Sequence, residues 1–262
     1  MPLPFWEAVF LSVAVCAALA ALAFYKRVLT WDGSLAAFVV GLAIGVFGDI
    51  AWLLLLLFLL LSSFLATRYR FALKPAMGVQ EGEAGERKGT NVLANGLAPV
   101  GVAVVAALNP AWLPQSVVGV VYISSLAVAG ADTIASEIGV LSRRTVLITT
   151  FRRVAPGTNG GISLLGEAAA LAASVYTAVV GVAVLAVAAP QFGLVATMPL
   201  ALASFTIPAA VGFLGCQLDS VLGATFEQRG WMGKRTVNLV ATSAGAVLAY
   251  LAVLAYFAPA AA

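Results

Sequence analysis

Long apolar runs, separated by shorter segments rich in glycine and charge, dominate the chain from end to end. These runs approach the ~20 residues that a helix needs to cross the hydrocarbon core of a bilayer. They predict helices at residues 4–25, 33–48, 50–66, 92–108, 114–131, 164–189, 199–223 and 236–257. The pattern therefore predicts an all-α fold, a polytopic transmembrane bundle of about eight spans that forms a single domain over residues 1–262.

The segment 33–66 is compatible either with one long tilted helix or with two short helices that meet at Gly48 and Asp49. Charge favours two helices, because all fourteen Lys and Arg residues then fall on one side of the membrane. The positive-inside rule makes that side cytoplasmic. We therefore expect both termini on the non-cytoplasmic side and the loops 67–91, 139–160 and 224–235 inside.

Composition excludes a soluble globular protein, since 62% of residues are hydrophobic and only 10% are charged. The net charge of +3 comes from the loops, so it indicates anionic ligands or lipid headgroups rather than nucleic acid. The chain has no His, and acid–base or metal chemistry would therefore depend on carboxylates. The predicted external connections at 109–114 and 190–198 are short and uncharged. We therefore expect function at the cytoplasmic face of the cell membrane.

An acidic residue ends the apolar run at 114–131. Asp132 follows this run directly, Ser136 lies one helical turn beyond it on the same face, and Glu137 is rotated away. A carboxylate at a membrane boundary is costly unless it is paired, hydrated or bound to a cation. The residues therefore indicate a functional site, although a simple cap of the following helix would also explain Asp132.

A second polar cluster interrupts the run at 199–223. Gln217, Asp219 and Ser220 form a patch in an otherwise apolar helix. An intramembrane acid that faced lipid would be costly, so the patch should face the interior of the bundle. A polar cluster that only packs helices together is the alternative.

A glycine-rich segment at residues 154–163 leads directly into the helix predicted at 164. Glycines allow backbone N–H groups to converge on an anion, and the helix N-terminus adds a positive end, so the segment suits a phosphate. The candidate ligands are Thr158, Asn159, Gly160, Gly161 and Ser163. A capped glycine turn is the alternative, and no Walker sequence is present. Four arginines that offer forked donors to phosphate precede it: Arg143, Arg144, Arg152 and Arg153.

Two further groups of polar side chains should lie near the inner membrane boundary. Asn91 and Asn95 are four residues apart at the start of one span, and Lys234, Arg235 and Asn238 fall within about one turn at the start of the last. They could converge with the clusters above. Helix capping and snorkelling of long basic side chains would also explain them.

Four motifs resemble the signatures of one integral membrane family, which contains plant phytyl-phosphate kinase and the transmembrane-protein-19-like proteins. They are DTIASEIG at 132–139, PGTNGGIS at 156–163, LDSVLGAT at 218–225 and VLANG at 92–96, and the resemblance covers residues 29–250. It implies transfer of the γ-phosphate of a nucleoside triphosphate, with CTP favoured, to a polyprenyl monophosphate of phytyl or geranylgeranyl type. More distantly, the pattern around Asp132 is similar to dolichol-kinase-like enzymes and CDP-lipid synthases.

Under this hypothesis each candidate residue has an expected role, and phosphoryl transfer needs mainly positioning and charge neutralisation. Asp132 and Asp219 would bind Mg²⁺, with Glu137 as a third carboxylate near them. Arg153 and Arg235 would neutralise the transferring phosphate. The expected nucleotide ligands are Thr158, Asn159, Gly160, Gly161, Ser163, Asn91, Asn95, Lys234 and Asn238. The expected contacts to substrate phosphate are Arg143, Arg144, Arg152, Gln217 and Ser220.

The expected partners are a prenyl-phosphate lipid, a nucleotide and the bilayer, and an oligomer is compatible with the sequence. Two other functions stay open. An ion-coupled transporter would also have glycine-broken helices and buried acids, although its polar groups would be expected near the midplane. A cytidylyltransferase that forms a CDP-lipid would share the nucleotide and the metal.

Overall fold

The computed structural model describes residues 5–75, 78, 80, 82, 85–108 and 113–257, and within them it is a helical bundle. The α-helices are α1 (Phe5–Tyr25), α2 (Trp31–Phe47), α3 (Ile50–Arg68), α4 (Gly89–Leu108), α5 (Gln115–Gly139), α6 (Leu164–Ala188), α7 (Met198–Leu222) and α8 (Lys234–Phe257). Three short strands lie between α5 and α6: β1 (Thr145–Leu147), β2 (Arg153–Val154) and β3 (Gly161–Ile162). The all-α transmembrane class is confirmed.

The break in the segment 33–66 is also confirmed, and Asp49 explains it. Its carboxylate accepts a hydrogen bond from the backbone N–H of Ala51 at 2.8 Å and so caps α3. Gly48 leaves room for the Trp52 ring, because a Cβ at residue 48 would lie 2.6 Å from that ring. Seven helices in the described residues are long and apolar enough to span a bilayer, whereas α2 has 17 residues and is shorter.

Helix α5 differs most from its prediction, since it continues about two turns past residue 131. It is the central helix, packed against α3, α4, α6, α7 and α8, and most of its residues are buried. Packing on several sides keeps the polar sequence after Ala131 helical, and Ser136 Oγ donates to the Asp132 carbonyl at 2.7 Å. Asp132 therefore lies inside a helix and does not cap the next one.

The connections α1–α2, α3–α4, α5–α6 and α7–α8 lie at one end of the bundle. The fourteen Lys and Arg residues of the chain lie in these connections or in the adjoining helix turns. Thr30 N donates to the Arg87 carbonyl at 3.1 Å, and Gly89 N donates to Asp32 Oδ2 at 2.8 Å, so these contacts tie two connections together. Which side of the membrane this end faces stays a prediction. Residues 109–112, and six residues of the predicted loop 67–91, lie outside the described residues.

The strands form a small antiparallel sheet in the order β2-β1-β3, which places the glycine-rich segment against the end of α7. There, α7 passes into one π-helical turn, Gly223–Glu227. Gly160 has a φ of 74°, and a Cβ on it would lie 2.6 Å from the Ala224 Cα. Glycine is therefore required at residue 160 both by its conformation and by the close approach of the two backbones.

Candidate functional site

Two aspartates from different helices meet near the basic end of the bundle. The carboxyl groups of Asp132 on α5 and Asp219 on α7 are in contact. The Asn238 amide on α8 lies between them, since Nδ2 is 3.3 Å from Asp132 Oδ2. With the amide rotated, its NH₂ group instead donates to Asp219 Oδ2 at 3.3 Å and to the Lys234 carbonyl at 2.8 Å. Lys234 also acts electrostatically on both carboxylates.

One side of this aspartate pair opens into a cavity of about 280 Å³ between the glycine-rich segment and the ends of α5 and α7. We call it the acidic cavity, because Lys234 is the one basic residue among the described residues that line it. Its acidic lining residues are Asp132, Glu137, Glu167, Asp219 and Glu227. A bare anion would be repelled here, whereas an anion that arrives with a divalent cation would be accommodated.

The glycine-rich segment lines the acidic cavity, with Thr158, Asn159, Gly160, Gly161 and Ser163 all at its wall, and its predicted binding of nucleotide phosphate stays a prediction. Several of its hydrogen-bond donors and acceptors are already paired within the protein. Thr158 Oγ1 donates to the Ala155 carbonyl at 2.7 Å, and Gly161 N donates to the Thr158 carbonyl at 2.8 Å. Ser163 caps α6, because its Oγ accepts from Gly166 N at 3.1 Å. The segment is thus a closed turn, and Gly160 packs it against Ala224 at the end of α7.

The other side of the pair opens into a larger cavity of about 580 Å³ beneath the starts of α4 and α8. We call it the basic cavity, because four of its lining residues are cationic and two are acidic. The cations are Arg87, Lys88, Lys234 and Arg235, and the acids are Asp132 and Glu137. Asn91, Asn95 and Asn238 also line it, so the two predicted groups of polar side chains do converge.

The acidic and basic cavities share one wall. Asp132, Ser136, Glu137 and Lys234 line both. A group held in one cavity therefore lies close to a group held in the other, with a carboxylate and an ammonium group at the boundary. This arrangement suits transfer of a charged group between two bound molecules.

Glu137 does not join the aspartate pair as predicted. Its Oε1 accepts a hydrogen bond from Thr67 Oγ1 at 2.9 Å, and its Oε2 accepts one from Lys74 Nζ at 2.6 Å. The Lys74 side chain is fully buried, so this is an interior ion pair. Both carboxylate oxygens are therefore engaged with protein, and Glu137 joins α5 to the segment that follows α3.

The four arginines expected to contact phosphate lie elsewhere. Arg143, Arg144, Arg152 and Arg153 are exposed on the β1–β2 hairpin and its approach, and none lines the acidic or basic cavity in the described part of the chain. The reason is the hairpin, in which Leu147 N donates to the Arg152 carbonyl at 2.9 Å. This tight turn separates the arginines from the cavities, so the structure does not place them, including Arg153, where their predicted contacts with phosphate require.

Two polar residues of α7 have different surroundings. Ser220 lines the acidic cavity, and its contact with substrate phosphate stays a prediction. Gln217 instead donates to Glu167 Oε2 at 2.7 Å, which joins α7 to the first turn of α6. Gln217 is therefore placed to orient a cavity carboxylate, and its predicted contact with substrate phosphate is not supported.

Sequence reasoning missed several lining residues. Thr145 lines the acidic cavity, and its buried Oγ1 has no hydrogen-bond partner among the described residues. Glu227 reaches the same cavity from the π-helical turn, and Arg87 and Lys88 reach the basic cavity from the start of α4. For Lys88 alone, the nearby Asn91 could have indicated a place in the cavity wall. Thr145 and Glu227 could not be identified in this way, because the strand pairing and the π-helical turn that position them depend on contacts distant in sequence.

The aspartate pair fits a magnesium ion by its chemistry. Two carboxylates in contact within the membrane repel each other unless a proton or a cation compensates them. Mg²⁺ is commonly bound by one or two carboxylates together with water and substrate phosphates. In the described residues no group of three or more His, Cys, Asp or Glu side chains is arranged to hold a metal alone. The donor set is therefore one that a phosphate ligand would complete.

Comparison with known proteins assigns the chain first to a class and then to a family. Its class is that of multi-pass integral membrane proteins, and the family described as Integral membrane protein DUF92 matches residues 14–249. The chain belongs to this family, as the four sequence motifs predicted. No solved structure is significantly similar to the chain.

Relatives occur in all three domains of life. An uncharacterized membrane protein of Methanocaldococcus jannaschii is 31% identical over 92% of this chain and 93% of its own length. An uncharacterized membrane protein of Synechocystis is 33% identical over 88% of this chain and 85% of its own length. Protein VTE6, chloroplastic, of Arabidopsis thaliana is 29% identical over 85% of this chain and 65% of its own length. The chain thus spans about two thirds of the plant protein.

Proposed function

We propose that the protein is a membrane-embedded kinase that transfers the γ-phosphate of a nucleoside triphosphate, with CTP favoured, to a polyprenyl monophosphate. The observation that carries the proposal is the shared wall at Asp132 and Lys234 between an acidic and a basic cavity. Two charged substrates would thereby be held side by side. The resemblance of four motifs to the family that contains plant phytyl-phosphate kinase supports the choice of a prenyl phosphate as acceptor.

In this proposal the nucleotide lies in the acidic cavity. Asp132 and Asp219 would hold Mg²⁺ together with phosphate oxygens, and the ion would neutralise charge on the transferring phosphate. The hydroxyl groups of Thr145 and Ser220 line this cavity and would donate to the phosphates. The glycine-rich segment would form the wall against which the nucleotide packs.

The acceptor phosphate lies in the basic cavity, where Arg87, Lys88 and Arg235 would neutralise its charge. Lys234 lies at the boundary and would contact the phosphate in transit. An acceptor that is already a phosphate needs no strong general base, which agrees with a chain that has no His. The active site would face the cytoplasm, following the positive-inside argument.

Substitution of each aspartate tests the metal assignment. Asp132→Asn and Asp219→Asn are nearly isosteric and remove one negative charge each, so turnover should fall by about 100-fold or more in both, with thermal stability preserved. Thr225→Val serves as a matched control, because Thr225 Oγ1 donates only to backbone carbonyls in the last turn of α7, Val221 at 2.7 Å and Leu222 at 3.4 Å, and lines neither cavity. Wild-type turnover in either aspartate variant would remove that residue from the metal site.

A further inference from the structure

The basic cavity continues into an apolar pocket between α2, α3, α4 and α5. The pocket has a volume of about 80 Å³ and shares four lining residues with the basic cavity: Arg87, Asn91, Asn95 and Thr133. The rest of its wall is almost entirely aliphatic, with Val40, Leu56, Leu59 and Leu60 among its members. A polar chamber thus leads directly into hydrocarbon-like surroundings.

The apolar pocket in turn adjoins a groove of about 170 Å³ between α1, α2 and α3. Ala37, Leu56 and Leu60 line both. At its outer side the groove is bordered by Leu22 and Leu61, which are 52% and 48% exposed. In a bilayer these positions contact lipid, so the path runs from the membrane to the boundary with the aspartate pair.

The junction between polar and apolar walls contains an unsatisfied polar atom. The Asn95 Nδ2 donates to the Asn91 carbonyl at 3.1 Å, whereas its buried Oδ1 has no hydrogen-bond partner among the described residues. A buried amide oxygen without a partner destabilises a protein, and of the groups in a phosphate headgroup only the P–OH of the monoanion would donate a hydrogen bond to it. The junction is where the headgroup of an amphiphile would meet its tail.

The distribution of charged residues along the path indicates which kind of substrate it would bind. The polar end carries Lys88 and Arg235 as well as Arg87 and Lys234, so it favours an anion, and the walls beyond it are uncharged except for Lys26 at the groove. An amphiphile with one anionic head and one flexible apolar tail matches both properties. A nucleotide matches neither the aliphatic walls nor the opening towards lipid.

We propose that the acceptor is a lipid monophosphate that enters from the membrane between α1 and α3. Its tail lies along Leu56 and Leu60, and its phosphate lies in the basic cavity. This inference rests on the proposed function for the identity of the reaction. Asn91 and Asn95, predicted from the sequence to bind the nucleotide, would instead contact the acceptor. The apolar path would be the part of the protein that distinguishes acceptors with long tails from those with short tails.

Blocking the path tests the proposal. Leu60→Trp places a larger side chain where the pocket and the groove join, and Leu54→Trp is the matched control, because Leu54 is on the same helix, 52% exposed and outside both linings. KM for a twenty-carbon prenyl monophosphate should rise about tenfold or more in Leu60→Trp only. KM for the five-carbon monophosphate and for the nucleotide should stay unchanged. Equal effects on both acceptors would overturn the proposal.

A second measurement needs no activity. A prenyl monophosphate with a diazirine in its tail is photocrosslinked to the wild-type protein in lipid nanodiscs, and the labelled peptide is identified by mass spectrometry. Label on α3 between Leu53 and Leu61, or on the facing residues 19–23 and 37–41, supports the path. Label confined to α6, α7 or α8 overturns it even if phosphate transfer is observed. Label on α3 without transfer from any nucleotide keeps the lipid site and rejects the kinase.

Discussion

The interior ion pair between Lys74 and Glu137 provides a quantitative test of how the site is held together. Lys74 Nζ donates to Glu137 Oε2 at 2.6 Å, to the Thr67 carbonyl at 2.9 Å and to the Ala66 carbonyl at 3.3 Å. Lys74→Met removes all three bonds and leaves the Glu137 carboxylate buried without its countercharge. Breaking a buried pair in this way costs about 3–5 kcal/mol.

The expected loss of stability would be measured as a decrease in the melting temperature, Tm. For a chain of this size about 2–4 °C corresponds to 1 kcal/mol, so Lys74→Met should lower the Tm of the detergent-solubilised protein by about 6–20 °C. The double variant Lys74→Met with Glu137→Met leaves neither charge of this pair and should recover most of the loss. Lys26→Met, at an exposed lysine of the same end of the bundle, should leave the Tm unchanged. A double variant that melts no higher than Lys74→Met would refute the coupling.

Two further predictions concern the glycine-rich segment and the topology. Gly160→Ala should lower the Tm more than Gly230→Ala. Both residues have positive φ (74° and 73°), but only Gly160 lies against Ala224, whereas a Cβ at residue 230 would meet no atom within 4 Å. Equal losses would show that the contact with α7 is unimportant. Thr150→Cys should react with a membrane-impermeant thiol reagent only from the cytoplasmic side, and Ala196→Cys only from the other side. The native Cys16 and Cys216 are buried and should not react. The reverse pattern would invert the predicted orientation.

The helices could be predicted because burial in lipid requires long apolar runs whose backbone is fully hydrogen-bonded within the segment. Charge then separated α2 from α3 correctly at Asp49. The end of α5 was misplaced for a related reason, since hydropathy falls at Asp132 although the helix does not stop there. Inside a protein, packing against several neighbours keeps a polar helical turn stable where a hydropathy window indicates a boundary.

The site was only partly predictable. Asp132 and Asp219 were identified because an intramembrane acid needs a compensating group, and this requirement is visible in sequence alone. Positions of Arg152 and Glu137 depend instead on strand pairing and on a partner 63 residues away. Short-range patterns contain no information about such contacts. The arginines were assigned to phosphate because they precede the glycine-rich segment in sequence, although basic residues are numerous at any inner membrane boundary.

The central claim is tested most directly by the reaction itself. Purified protein in nanodiscs is given Mg²⁺ and γ-³²P-labelled CTP, ATP, GTP or UTP, together with a prenyl alcohol or a prenyl monophosphate, and the products are identified by thin-layer chromatography and phosphorus NMR. The account predicts label in a prenyl diphosphate, formed from the monophosphate and not from the alcohol, and absent in Asp132→Asn. A CDP-lipid would instead indicate a cytidylyltransferase, and transfer from none of the four nucleotides would contradict the kinase.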